Sequence, residues 1–264
     1  MGTAARQVTV QITHVGGPTT LLEVEGWRLL TDPTFDPPGR RYAFGWGTSS
    51  RKLDGPAVAD VGPVDAVLLT HDHHGDNLDD AGRALLAGAP RLVTTVPGAG
   101  RVGGTGLKPW SATRLEAPGK PTITVTATPC RHGPPLSRPI AGAVIGFALN
   151  WEGQRDGALW ISGDTVLYRG VRAVADRVPV DVAVLHLGAV GFPITGPLRY
   201  SMTGEQAVEL CTLLRPRIVV PVHYAGWAHF REGRAEVDAA FRRAPADIRD
   251  RLRWLEPGAA AQVS

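Results

Sequence analysis

Leu68-Leu69-Thr70-His71-Asp72-His73-His74-Gly75-Asp76-Asn77-Leu78-Asp79 sets three histidines and three carboxylates directly after an apolar run. Asp65-Ala66-Val67-Leu68-Leu69 reads as a short buried strand. Leu78, Ala81, Leu85 and Leu86 read as one face of a helix capped by Asn77 or Asp76 and ending near Gly88. The histidines therefore fall on a strand-to-helix loop. In extended chain, residues two apart point to one side, so His71 and His73 would grip one ion while Asp72 faces away. Imidazole nitrogens mixed with carboxylate oxygens suit zinc, manganese or iron, whereas calcium and magnesium prefer oxygen-only shells. A polar loop with a chance cluster is the alternative. It is disfavoured because three of the chain's eight histidines sit together here.

Working outward, 264 residues with 43% hydrophobic and 20% charged content suffice for one large globular domain, expected to span 1–264. Met1 to Gln7 lacks the apolar core of a signal peptide, and no run reaches membrane-spanning length, so a cytoplasmic protein without integral membrane association is expected. Cys130 and Cys211 are too few for a disulfide framework, which fits a reducing compartment. The net charge of +3 is spread along the chain without a basic run carrying interleaved aromatics, so no nucleic-acid partner is expected.

Val8-Val10-Ile12, Leu22-Val24 and Trp27 to Leu30 read as a strand meander, followed by a long loop from Thr34 to about Pro56. Such loops are rarely idle in a compact domain. Further strands are read at 91–95, 123–127, 144–149, 158–162, 182–185 and 217–222, with Pro97 to Pro109 as a connection. A helix opens at the capping-box spacing Thr203-Gly204-Glu205-Gln206 and runs to Leu214, and another spans Ala235 to Arg243. Strands interspersed with helices argue for an α/β sandwich with helices outside.

Three more polar residues stand just past predicted buried strands: His132, Asp164 and His223. Singly each reads as easily as a strand-end cap, but loops at one sheet edge converge in space, and their shared placement favours a site.

On Thr13-His14-Val15-Gly16, Leu29 to Pro33, the His-rich loop, Arg131-His132-Gly133, Ser162-Gly163-Asp164-Thr165, Met202-Thr203 and Pro221-Val222-His223-Tyr224, the chain resembles the metallo-β-lactamase-fold hydrolases. It is most similar there to the branch of ascorbate-6-phosphate lactonase and the N-acyl phosphatidylethanolamine phospholipase D enzymes. The resemblance spans nearly the whole chain. It implies an αββα sandwich of two mixed β-sheets with outer helices and a two-metal site: His71, His73 and His132 on the first ion, Asp164 bridging, Asp76 and His223 on the second. The superfamily motif is His-x-His-x-Asp-His, and here Gly75 intervenes before Asp76 while Asn77 stands where a second histidine is expected. One register keeps Asp76 as ligand after a one-residue bulge; another turns His74 inward to replace the missing imidazole. The first is expected, with His74 as an extra ligand, and the second ion as the weaker because an amide substitutes poorly for imidazole.

One or two divalent ions, zinc foremost, would activate a water, with Asp76 orienting it and passing its proton on. Asp32 resembles the family's carboxylate that fixes a ligand histidine; it reads equally well as a turn aspartate. His186 and Tyr224 are expected at the pocket edge, touching substrate. Tyr168 and Trp227-Ala228-His229-Phe230 are candidates for phosphate or oxyanion contacts, although aromatic residues there usually pack. His14 reads as structural, and Cys130 as a small buried residue rather than a nucleophile. The expected function is metal-dependent hydrolysis of a small ester, lactone or phosphodiester. Nuclease or phosphodiesterase action on nucleic acid and a non-catalytic metal-binding sensor are the competing readings.

Overall fold

The computed structural model describes residues 10–45, 47–154 and 156–263; Val8 and the stretch Met1 to Gln7 lie outside them. Among the described residues no helix is long and apolar enough to cross a membrane.

The strands read from the sequence fall into two sheets. One has seven strands in the order Ala260–Gln262, Val10–Gly16, Thr19–Val24, Trp27–Thr31, Ala66–Leu68, Leu92–Thr95 and Thr105–Leu107. The other has six, in the order Ile218–Val222, Val180–His186, Ala158–Ile161, Ile145–Trp151, Ile123–Pro129 and Ala112–Leu115. Both mix parallel and antiparallel pairs. Alternation along the strands sorts side chains between faces. Leu29 and Leu68 point into the layer shared with Phe147, Leu149 and Val184 of the opposite sheet, while Leu30 and Val67 point outward. Each fully buried side chain of this kind contributes about 1.5–3 kcal/mol.

Because both faces of each sheet are covered, the strands read as near-continuous apolar runs. Outside the first sheet lies the helix Asp80–Leu86; outside the second lie Gly204–Leu214 and Arg234–Arg243, whose Leu210, Leu214 and Phe241 pack on Trp160, Ala183 and Val219. This is the expected αββα sandwich. The Thr203 hydroxyl caps its helix by accepting from the Gln206 amide at 3.1 Å, as the spacing requires. The helix after the His-rich loop starts later than read, with Asp79 as its cap.

Two segments differ from their reading. Pro97 to Pro109 holds the helix Val96–Val102 and the strand Thr105–Leu107. The Thr34–Pro56 loop folds into a hairpin of Arg41–Gly45 with Thr48–Arg51. Neither is strongly periodic, and a two-stranded hairpin draws its stability from what it packs on.

Ile123–Pro129, Ala158–Ile161, Val180–His186 and Ile218–Val222 all run in one direction, as do Trp27–Thr31 and Ala66–Leu68. Their C-terminal ends therefore bring Asp32, His71, His132, Asp164, His186 and His223 to one edge of the sandwich.

Candidate metal centre

Two buried clusters lie at that edge, His71 with His74 and His132, and Asp76 with Asp164 and His223. Within each, one ligand atom per residue lies within 4.8 Å of the others. His71 Nε2, His223 Nε2, Asp76 Oδ1 and both Asp164 oxygens are buried without a hydrogen-bond partner among the described residues. Orphaned buried polar atoms cost free energy unless something fills the space between them, and a cation suits this set of nitrogens and oxygens. Asp164 Oδ2 lies 4.0 Å from His132 Nε2 and 3.4 Å from His223 Nε2, facing both clusters.

The ring nitrogens turned away from the clusters are held. Tyr200 O lies 2.6 Å from His132 Nδ1, Leu187 O lies 3.2 Å from His223 Nδ1, and the Thr70 hydroxyl lies 3.0 Å from His71 Nδ1. Such contacts fix tautomer and ring orientation. Asp32 accepts from the Thr70 amide at 2.7 Å and the Thr70 hydroxyl at 3.0 Å, so it reaches His71 through Thr70, and its other oxygen lies 3.2 Å from His186 Nε2.

Two backbone positions carry left-handed torsions that place these groups. Gly163, at φ +62°, precedes Asp164, and a Cβ there would lie 2.7 Å from Ile145 O. His223 itself sits at φ +57°, uncommon for a side chain of its size and typical of strained functional positions.

Burial pushes His74 down to about 4 and His132 to about 3, and His71 falls well below its ordinary value for the same reason. The first cluster thus presents neutral imidazoles: His71 Nε2 is unpartnered among the described residues, and His132 Nε2 and His74 Nδ1 lie 3.2 Å apart, a contact that a metal would replace. In the second, burial opposes charge but is outweighed at His223 and Asp76. Asp164 and Asp76 facing His223 push it up to about 9, and the His223 ring 3.5 Å from Asp76 together with the hydrogen bond from His229 holds Asp76 well below the carboxylate range. Asp164, with the fewest bonds, is raised by burial to about 6. These carboxylates favour positive charge between them, a proton or a metal ion.

The expected residues are not all brought together. His73 is outside the first cluster: it is partly exposed, with Nδ1 3.5 Å from Asp72 Oδ1 and 3.4 Å from the Arg101 guanidinium. His74 takes the place expected for His73. The extended spacing of two fails because the loop curls, the amides of Asn77 and Leu78 both donating to His74 O, so His71 and His74 meet three apart. Asp76 lies with Asp164 and His223 in the second cluster. His186 is fully buried against Asp32, and Tyr224 packs at 4.8 Å on Trp254; neither is among the described residues lining the cavity over the clusters. His14 has Nε2 3.0 Å from Gly17 O. Burial raises the Cys130 thiol well above its ordinary value, with Asp164 adding to the effect. Tyr168 lies under the Arg131 guanidinium at 4.7 Å.

Sequence reasoning missed the pairing of His229 with Asp76, Nε2 lying 2.9 Å from Oδ2. The signal was the Asn77 departure, which leaves the motif one imidazole short. It also missed Lys52, fully buried, whose ammonium pairs at 3.1 Å with Asp79. Asp79 receives besides the amides of Phe35, Asp36 and Gly82, locking the long loop onto the motif.

Above the clusters lies a cavity of about 500 Å³ with His74, Asp76 and His132 at its inner end. Phe44, Val190, Phe192, Leu136, Ile194, Leu198 and Tyr200 form its walls, and Leu136, Ile194 and Leu198 are exposed at the mouth.

Residues 27–224 match the family model of the beta-lactamase superfamily domain. The chain is 28% identical over 254 residues to a UPF0173 metal-dependent hydrolase of Pyrobaculum neutrophilum, covering 94% of this chain and 98% of that one. It is 32% identical over 190 residues to another from Desulfitobacterium hafniense, covering 65% and 72%. Among solved structures, an isothiocyanate hydrolase from Delia radicum gut bacteria superimposes with a TM-score of 0.75 at 20% identity, covering 95% of this chain and 98% of that one. A metallo hydrolase from Ignicoccus hospitalis does so with 0.66 at 24% identity, covering 97% and 99%. These two structures share the fold.

Proposed function

The chain belongs to the beta-lactamase superfamily and is a metal-dependent hydrolase, and from that premise we propose that it hydrolyses a small, uncharged, largely apolar ester or lactone. The observation that carries this reading is the pair of ligand clusters, with their orphaned donors, at the floor of an apolar cavity. Two transition-metal ions, zinc foremost, would be held by His71, His74 and His132 and by Asp76 and His223, with Asp164 between them. Bound there, they would supply an acidified water and a Lewis acid for the scissile carbonyl.

The chain's own groups do the rest. Asp76 lines the cavity, is held ionised by its two histidines, and has Oδ1 free to orient the attacking water and pass its proton to the leaving group. Phe44, Phe192 and Tyr200 bind the apolar part of the substrate and exclude water. Among the described residues lining the cavity there is no Lys or Arg to meet an anionic group. Both sheets contribute ligands, so the chain works as one domain, and its two free cysteines suit the cytoplasm.

A second reading, a phosphodiester substrate, draws on a neighbouring cavity of about 570 Å³ that shares His132 and carries Lys108, Arg131 and Arg138. The two are separated by assaying p-nitrophenyl esters of graded chain length, lactones, isothiocyanates and bis-p-nitrophenyl phosphate, with metal analysis on the same sample. Turnover of neutral esters or lactones, with two ions per chain, is expected. Turnover of the phosphodiester alone would overturn the ester reading, and protein without transition metal would overturn the site.

A further inference from the structure

The motif loop lacks the imidazole that its superfamily places at position 77, and the structure shows a different histidine at the same carboxylate. His229 comes from 152 residues further along the chain (229 − 77). Its Nε2 lies 2.9 Å from Asp76 Oδ2, and its Nδ1 lies 2.5 Å from the Ser50 hydroxyl. The residue is 3% exposed. Phe192 stacks on the ring at 5.4 Å, and Phe44 and Phe230 press on it at 5.1 and 4.8 Å. Asn77 has turned away, its amide nitrogen 3.5 Å from the Thr70 hydroxyl.

We infer that His229 compensates for Asn77 as a positioning residue: it clamps Asp76 so that the second metal is held without the motif's missing histidine. The hydrogen-bond chain has one consistent polarity. Asp76 Oδ2 only accepts, so Nε2 carries the proton and donates, which leaves Nδ1 to accept from the Ser50 hydroxyl. Ser50, on the strand Thr48–Arg51, thereby fixes the tautomer, and His229 fixes the carboxylate, leaving Oδ1 free for the ion or the water. Among the described residues, the other ring against the same Asp76 oxygen is that of His223, 3.5 Å away. Partners of this kind are typically worth 10–100-fold in metal affinity.

The inference rests on the two-ion reading above. Its test is zinc stoichiometry and affinity, by chelator competition and elemental analysis, on the full chain and on His229→Leu, His229→Gln and Ser50→Ala. Leu removes the donor, whereas Gln keeps an N–H at the ring's place. The expected result is a second zinc bound about 10–100-fold more weakly in His229→Leu, with the first unchanged, and affinity largely restored in His229→Gln. Ser50→Ala should weaken the same ion by a smaller factor. Wild-type affinity for both ions in His229→Leu, or in Ser50→Ala should the Leu variant not fold, would overturn the clamp. Equal loss in Gln and Leu would overturn it in favour of a ligand role. A wild-type chain that takes up only one ion would sink the two-ion reading itself.

Discussion

The two halves of the metal centre are built on different plans. The first is three neutral imidazoles, two from one short loop and one from the end of Ile123–Pro129. The second is two carboxylates and a cationic histidine from three separate segments, with His229 clamping one carboxylate from a fourth. Neutral donors need only be held still, which nearby backbone does. Carboxylates buried together need charge compensation and orientation, and that brings in distant parts of the chain.

Breaking the first half should have the largest effect. His74→Ala should lose the first ion and bring hydrolysis to background, measured by elemental analysis and substrate turnover. That loss should exceed the roughly 10–100-fold expected from removing a supporting partner alone. Asp79→Ala leaves the buried Lys52 ammonium without its carboxylate, with the Thr34 carbonyl still accepting from it, and should cost about 3–5 kcal/mol in denaturant unfolding. Asp32→Asn loosens Thr70 and, through it, His71, and should weaken zinc binding by about 10–100-fold with the fold retained.

Proton release sharpens the contrast further. His223, raised to about 9, binds a proton at neutral pH that a metal must displace. Affinity for the second ion should therefore rise about tenfold per pH unit as pH climbs towards 9 and then level off. His74 and His132, lowered to about 4 and 3, are already neutral above pH 5, so affinity for the first ion should be flat there. Calorimetry in buffers of differing ionisation enthalpy reads both. The smallest effect is expected from His73→Ala, under about 1 kcal/mol in stability with zinc content unchanged; a lost first ion would restore His73 as the ligand.

What was legible in the sequence follows the same division. Buried strands announce themselves as apolar runs, so Val182 to Leu185 and Val219 to Val222 were readable, and with them the loops that carry the polar residues. Choosing between His73 and His74 was not, because a one-residue insertion in a curled loop is absorbed by hydrogen bonds to His74 O that no spacing rule contains. His229 and Lys52 were hidden for another reason. Their significance depends on which distant carboxylate they meet, and the Arg41–Arg51 hairpin that helps assemble those meetings has only weak local preference of its own.

That hairpin links properties that would otherwise vary separately. Tyr42 lies so close over the motif loop that a Cβ on Gly75 would fall 2.3 Å from its ring, Phe44 walls the cavity, and Ser50 holds His229. Lys52, just beyond, is tied to Asp79. A mutation that reshapes this wall to admit a new substrate would therefore also disturb the metal centre. On the opposite side, Pro134 to Leu136 follow the ligand His132 and are closed onto it by the Ser137 hydroxyl donating to His132 O at 2.7 Å, but among the described residues no hydrogen bond joins Ile194 to Leu198 to a ligand, so an evolving or engineered lineage could change its diet there while keeping its chemistry.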